Sequence, residues 1–121
     1  MKLTNQTIYQ YAEALASASE NENYIPAKAS FFIQKNTSII AEAAQEIEKA
    51  RIEVAKHYGE PIEDGQGFQI PDDKIPAAAK EMEDLFNIEQ DLEIHTFKLE
   101  DLGEAKFTNA QMKAIMFMIE E

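Results

Sequence analysis

The sequence has no cysteine. Without thiols the chain can form no disulfide, bind no metal through thiolate ligands and use no thiol nucleophile, and a reducing cytoplasm is the simplest location. Also missing is any apolar run of the roughly 18 residues that a membrane-spanning helix needs. The first ten residues lack the apolar stretch of a secretory signal, which again favours the cytoplasm.

Motifs with known chemistry are missing as well. Gly65-Gln66-Gly67 is too short for a phosphate-binding loop and precedes a predicted strand instead of a helix. No Gly-x-Ser-x-Gly elbow occurs, and the two histidines, His57 and His95, lack the companion spacing of a zinc site. We therefore predict a protein that is not an enzyme and that needs no metal or cofactor.

Positive charge is scarce. The chain has 11 Lys and Arg against 23 Asp and Glu, a net charge of −12, and most of the imbalance falls in residues 60–104. Direct nucleic-acid binding is disfavoured, because it needs clustered bases. The acidic segment is either a solvated surface that keeps the protein soluble or a face that occupies a basic site on a partner. The candidate acidic face consists of Glu63, Asp64, Glu81, Asp84, Glu100 and Asp101.

Apolar residues are plentiful enough for a core. The hydrophobic fraction is 45% and the aromatic fraction 9%, which is typical of one folded domain spanning residues 1–121. The predicted fold is mainly α with a small two-stranded antiparallel β element, in the order α-α-β-α-β-α. Residues 1–59 are expected to form a helical hairpin, and residues 60–121 an acidic β-α-β-α part.

The first predicted helix begins after Thr4. Its hydroxyl can accept a hydrogen bond from a free backbone N–H, and Leu3 and Ile8 occupy the two positions of a hydrophobic staple. The polar segment that follows predicts that this helix ends near Ser19.

The second predicted helix is long, from Pro26 to the residue before Gly59. Unbroken it would measure about 50 Å, whereas a compact domain of this size is only about 35 Å across. Either it breaks at residues 35–38, where Asn36 or Thr37 could cap a new helix start, or it projects towards a partner.

An apolar stripe at seven-residue spacing follows the second helix. It would serve as a dimer contact or as the face that packs on the first helix, and the sequence favours neither. We call it the heptad seam, the candidate self-association site, and it consists of Ile33, Ile40, Ile47 and Val54.

The second half of the chain predicts a third helix between two strands. Asp73 is expected to cap this helix, with Pro76 in its first turn and Asn87 at its exit. Residues 67–70 and 91–99 are expected to be the strands and to pair antiparallel with each other.

The last predicted helix runs from Asn109 to near the C-terminus. Thr108 and Gln111 have the spacing of a capping box. Its main apolar face leaves Phe117 and Met118 to one side, so we expect one flank to be covered by something else. These two residues are the candidate tail contact.

Two long runs carry a resemblance. The runs "IQKNTSIIAEAAQEIEKARIEVAKHYGE" and "TNAQMKAIMFMIEE" resemble an uncharacterised family of small acidic proteins encoded by tailed phages and prophages of low-GC Gram-positive bacteria. The resemblance implies a phage origin and a place in the host cytoplasm or in association with the virion. It implies no activity.

Two functions follow. The first is a non-enzymatic interaction protein, an assembly or virion-associated accessory factor that acts through helix packing and self-association, with a protein partner or a homo-oligomer expected. The alternative is a host-takeover or anti-defence factor that uses its acidic surface as a nucleic-acid mimic or sequesters a small signalling molecule. A phosphorylated signal would need bases, and Lys49, Arg51 and Lys56 are the nearest cluster.

Overall fold

The computed structural model describes residues 1–18, 23–62 and 67–120. These residues contain a long helix packed on a shorter one, two further helices and short paired strands, so the predicted fold class is confirmed. The helices are α1 (Asn5–Ser17), α2 (Ala27–Tyr58), α3 (Ile75–Phe86) and α4 (Asn109–Ile115).

Within the described ranges, six short strands form three separate pairs. The strands are β1 (Lys2–Thr4), β2 (Glu60–Pro61), β3 (Phe68–Gln69), β4 (Glu89–Asp91), β5 (Phe97–Lys98) and β6 (Ile119–Glu120). The pairs β1–β4 and β2–β3 are antiparallel, and β5–β6 is parallel.

The predicted pairing of residues 67–70 with 91–99 is wrong. Residues 68–69 pair with 60–61 across a hairpin, which closes a short loop at little entropic cost. Residues 91–99 do not form one strand. Their beginning pairs with the N-terminus of the chain and their end with the C-terminus.

The start of α1 follows the prediction. The Thr4 hydroxyl accepts a hydrogen bond from the Thr7 N–H at 3.2 Å, and the staple residues Leu3 and Ile8 are both buried. The helix ends at Ser17. Ser19, near which the end was predicted, lies outside the described residues.

Helix α2 is unbroken over 32 residues, so residues 35–38 do not interrupt it. Asn36, a residue that suggested a cap, is buried within the helix instead. Its side-chain amide donates to the His95 carbonyl at 2.8 Å and accepts from the His95 N–H at 2.8 Å. This polar side chain therefore binds a distant segment and does not start a new helix.

Helices α1 and α3 both pack on α2. Helix α1 runs antiparallel along residues 33–48, since Tyr9 bonds to Glu48 at one end while Leu15 and Ile33 line a common cavity at the other. For α3, the hydrogen bond between Tyr58 and Glu81 places a contact at the C-terminal end of α2. The predicted hairpin therefore forms, and the unbroken α2 is longer than the roughly 35 Å expected of a compact domain of this size.

Asp73 does not cap α3, which corrects the prediction. Asp72–Lys74 form a 3-10 turn closed by the Lys74 N–H on the Pro71 carbonyl at 2.9 Å, and α3 begins at Ile75. No side chain caps that start. Asn87 stands at the C-cap as predicted.

The capping box of α4 is confirmed. Thr108 accepts from the Gln111 N–H at 3.1 Å, and the Gln111 side chain accepts from the Thr108 N–H at 2.9 Å. The helix is shorter than predicted, because residues 116–118 tighten into a 3-10 turn and the chain then becomes extended to pair with β5.

The core lies where α1, α2 and α4 meet the end of the chain. Its buried residues are Leu3, Ile8, Leu15, Ala29, Ile40, Ala43, Ile47, Phe97, Leu102, Ala114, Ile115 and Met118.

Candidate functional site

The heptad seam faces the interior of the single chain over its middle part. Ile40 and Ile47 are 0% and 2% exposed, whereas Ile33 and Val54 are half-buried. A second copy cannot contact the two middle isoleucines in this structure. Self-association through the whole seam therefore stays a prediction that would require α1 to move away from α2.

The tail residues are covered from within the chain. Met118 is completely buried in the core. Phe117 stacks on Tyr11 of α1, with ring centroids 4.1 Å apart and ring planes 9° apart. The flank that was expected to need a cover is thus covered by α1, and Met116 is the large apolar residue of this turn that stays exposed.

The described members of the candidate acidic face lie at opposite ends of α2. Glu81 hydrogen-bonds with Tyr58, raising the pKa of that phenol, whereas Asp101 lies 3.4 Å from the Lys28 ammonium. Positions 28 and 58 are about 45 Å apart along a helix that rises 1.5 Å per residue. Asp84 and Glu100 adjoin these two acids on α3 and on the 99–102 turn. Glu63 and Asp64 lie outside the described residues.

Two bases of α2, Arg51 and Lys56, are paired with acids of the same helix. The Arg51 guanidinium donates from Nε to the Glu48 carboxylate at 3.0 Å, and the Tyr9 hydroxyl donates to the same carboxylate. The hydrogen bond from Arg51 is the main reason that the pKa of Glu48 falls to about 2. Lys56 lies 3.9 Å from Glu53. Both cations are thus held by acids along the helix surface, and these contacts do not gather them into a phosphate-binding cluster.

The two histidines are separate. His95 stacks on Phe32, with ring centroids 5.4 Å apart, and His57 lies edge-on to Tyr58. Within the parts of the chain that the structure describes, no three His, Asp or Glu side chains are grouped to hold a metal ion. Over the same residues, no helix has the length and apolar character to cross a bilayer.

Large apolar side chains remain exposed where the start of α2 meets the 3-10 turn at residues 99–102. Phe31 and Leu99 are each 60% exposed, and Tyr24 is 81% exposed. We call these three residues the junction surface.

The start of α2 and the 99–102 turn, which carry the junction residues Phe31 and Leu99, contact each other. Lys28 pairs with Asp101. Phe31 follows Lys28 by one helical turn and so shares its face of α2, and Leu99 lies in the same 3-10 turn as Asp101. Tyr24 lines a shallow depression together with Glu104. Exposed apolar groups at one place, rimmed by charges, are a usual feature of protein-binding surfaces.

Sequence reasoning missed the junction surface, although one signal was present. Phe31 and Phe32 are consecutive, and consecutive residues on a helix point about 100° apart, so both cannot face the same core. Phe32 packs on His95, which leaves Phe31 in solvent. The position of Leu99 beside them depends on the tertiary fold and has no local signal.

Neither a protein-family model, nor a curated protein, nor a solved structure matches this chain.

Proposed function

We propose that this protein acts without bond-making chemistry of its own, by binding another protein through the junction surface. The observations that carry the proposal are the exposure of Tyr24, Phe31 and Leu99 and the Lys28–Asp101 contact that joins the segments holding Phe31 and Leu99. Burying a large apolar side chain in an interface contributes about 1.5–3 kcal/mol, and aromatic residues dominate such contacts. Two aromatic rings and a leucine are enough to anchor a standard interface.

The partner's chemistry follows from the charges around this surface. Glu100 and Glu104 are exposed near the apolar residues, and so are Lys28 and Lys98, so the local charges are mixed. The whole chain carries a net charge of −12, and two copies would repel each other through that net charge, which slows association. A different protein, with an apolar ridge flanked by Lys and Arg, is the complementary partner.

The phage resemblance fits a role of this kind. An assembly or virion-associated accessory factor in the cytoplasm of a bacterial host would act by holding another protein, and it would need no catalytic site. The nucleic-acid mimic has less support, because the four described acids of the proposed face are divided between the two ends of α2. A phosphorylated signal has less support as well, because Arg51 and Lys56 are paired with glutamates.

Photocrosslinking in cells that encode the protein tests the proposal. The photoreactive residue p-benzoylphenylalanine is placed at Phe31 and, as a matched control, at Ala79, which is exposed on α3. We expect one discrete adduct from Phe31 and none from Ala79. The change Leu99→Glu, on the other side of the junction surface, should abolish the adduct. Equal adducts from both positions, or none from either, would contradict the proposal.

Light scattering during gel filtration identifies the kind of partner. We expect the purified chain to be a monomer. A dimer that Phe31→Glu converts to monomer would show that the junction surface binds a second copy, whereas a dimer that persists in Phe31→Glu would place self-association elsewhere.

A further inference from the structure

A cavity of about 460 Å³ lies between the end of α1, the first half of α2 and the start of α4. We propose that it binds an uncharged, largely hydrocarbon small molecule that carries a single hydroxyl or carbonyl group. The proposal is independent of the junction surface, because none of the three junction residues lines the cavity.

The size and walls of the cavity suit such a ligand. Its volume falls within the range of about 300–1,000 Å³ typical of small-molecule sites. The walls come from separate elements that converge, so the space is partly enclosed and is not a flat face. The apolar lining residues are Leu15, Ala18, Ile25, Ile33, Phe107, Ala114 and Ile115.

A ligand would replace contacts that this part of the core lacks. Protein interiors are close-packed, and an apolar void leaves its lining atoms without neighbours on one side. Ala114 and Ile115 border the cavity and are almost fully covered, whereas the lining residues Ile25, Ile33 and Phe107 are half-buried and keep accessible apolar surface. Hydrocarbon that fills the space would supply the missing dispersion contacts without disturbing the surrounding helices.

Polar groups mark one side of the cavity. Gln34, Thr37 and Ser38 follow one another around a turn of α2, whereas the side-chain oxygen of Gln111 on α4 accepts a hydrogen bond from the Thr108 N–H. The Thr37 hydroxyl donates to the Ile33 carbonyl at 2.7 Å, so it can only accept a hydrogen bond from a ligand. The Ser38 hydroxyl can both donate and accept. These groups suit one small polar substituent on an otherwise apolar molecule.

The described lining of the cavity favours an uncharged ligand. None of the described residues that line the cavity is charged. A carboxylate, phosphate or ammonium group entering it would lose its hydration without an opposite charge in return, which is costly. Fatty acids and nucleotides are therefore poor candidates, whereas neutral ring systems and alcohols of similar bulk are good ones.

Titration of the full chain with two fluorescent probes tests the proposal. Phenylnaphthylamine is neutral, and anilinonaphthalene sulfonate has the same ring system with a negative charge. We expect saturable one-to-one binding of the neutral probe and binding of the anionic probe that is at least about tenfold weaker. Equal affinities, or a neutral signal that never saturates, would overturn the proposal.

Two variants locate the binding. Ser38→Phe places a ring at the exposed polar side of the cavity, and Ala114→Phe fills its interior. Ala79→Phe on α3 adds the same ring away from the cavity. We expect the first two variants to bind the neutral probe about tenfold or more weaker than wild type, and the third to bind it with unchanged affinity. If Ala114→Phe does not fold, Ser38→Phe alone tests whether the probe binds in the cavity. Wild-type affinity of Ser38→Phe for the neutral probe would contradict binding there.

Discussion

Asn36 is the residue whose replacement tests the fold most sharply. It is 0% exposed in the middle of α2, and its amide makes two hydrogen bonds to the backbone of His95, each 2.8 Å long. Residues 92–96 belong to no strand. The side chain of Asn36 therefore takes the place of a strand partner for this segment.

The change Asn36→Ala removes both hydrogen bonds and leaves the His95 N–H and C=O without these partners. Each buried polar group left unsatisfied costs about 1–3 kcal/mol. His95 is half-buried, so water reaches part of the vacated site, and alanine regains about 0.6 kcal/mol in helix propensity. We expect the free energy of unfolding to fall by about 2–4 kcal/mol.

The change Asn36→Asp separates hydrogen bonding from packing. Aspartate keeps the acceptor for the His95 N–H but sets a carboxylate against the His95 carbonyl. Burial and this repulsion should raise the pKa of the introduced carboxyl group in the folded state. The protonated carboxyl group can donate to the carbonyl. The variant is therefore most stable at low pH, and it loses this stabilisation as the pH rises through the folded-state pKa. We expect Asn36→Asp to lose less stability at pH 4 than at pH 7.

Urea denaturation followed by circular dichroism measures both effects. Lys35→Ala, at the exposed neighbouring position of the same helix, is the matched control and should change stability by less than about 0.5 kcal/mol. The reasoning is refuted if Asn36→Ala is no more destabilising than Lys35→Ala, or if Asn36→Asp is more destabilised at pH 4 than at pH 7.

Two further changes probe local features of the fold. Glu48→Gln should lower stability at pH 7 by about 1 kcal/mol, since the carboxylate that binds Arg51 is about one-third exposed. Because the pKa of Glu48 falls from 4.5 to about 2, this contribution is present above pH 4.5 and is lost towards pH 2, where denaturation curves of variant and wild type should converge. Gly103→Ala should cost about 1–3 kcal/mol, because Gly103 has a φ of 59° and a Cβ there would lie 3.1 Å from Pro26 Cγ. Thermal unfolding should show that loss, with Glu104→Ala nearly unchanged.

Features that depend on neighbouring residues could be predicted from the sequence. The caps at Thr4 and Thr108 form as expected, because a hydroxyl and the backbone N–H groups it binds lie within three residues of each other. The absence of a break in α2 could not be predicted locally. Asn36 has a typical capping side chain, and only its contact with His95, 59 residues later, decides its role.

The β1–β4 and β5–β6 pairings could not be predicted for the same physical reason, whereas the β2–β3 pairing is local in sequence. Residues 97–98 pair with 119–120, and residues 89–91 pair with 2–4, so both partners are distant in sequence and each pair is only two or three residues long. Such short strands carry almost no alternation to set a register. The candidate site could be predicted in part. The many apolar residues of the tail indicated that another element covers it, but that Tyr11 does so depends on how α1 and α4 pack.

The affinity of the crosslinked partner for two alanine variants tests the proposed binding surface most directly. Phe31 and Ile88 are both exposed apolar residues, and Ile88 lies outside the junction surface. We predict that Phe31→Ala weakens binding by about tenfold or more, as expected for an interface anchor, whereas Ile88→Ala leaves it unchanged. Equal affinities of the two variants for the partner would contradict binding through the junction surface.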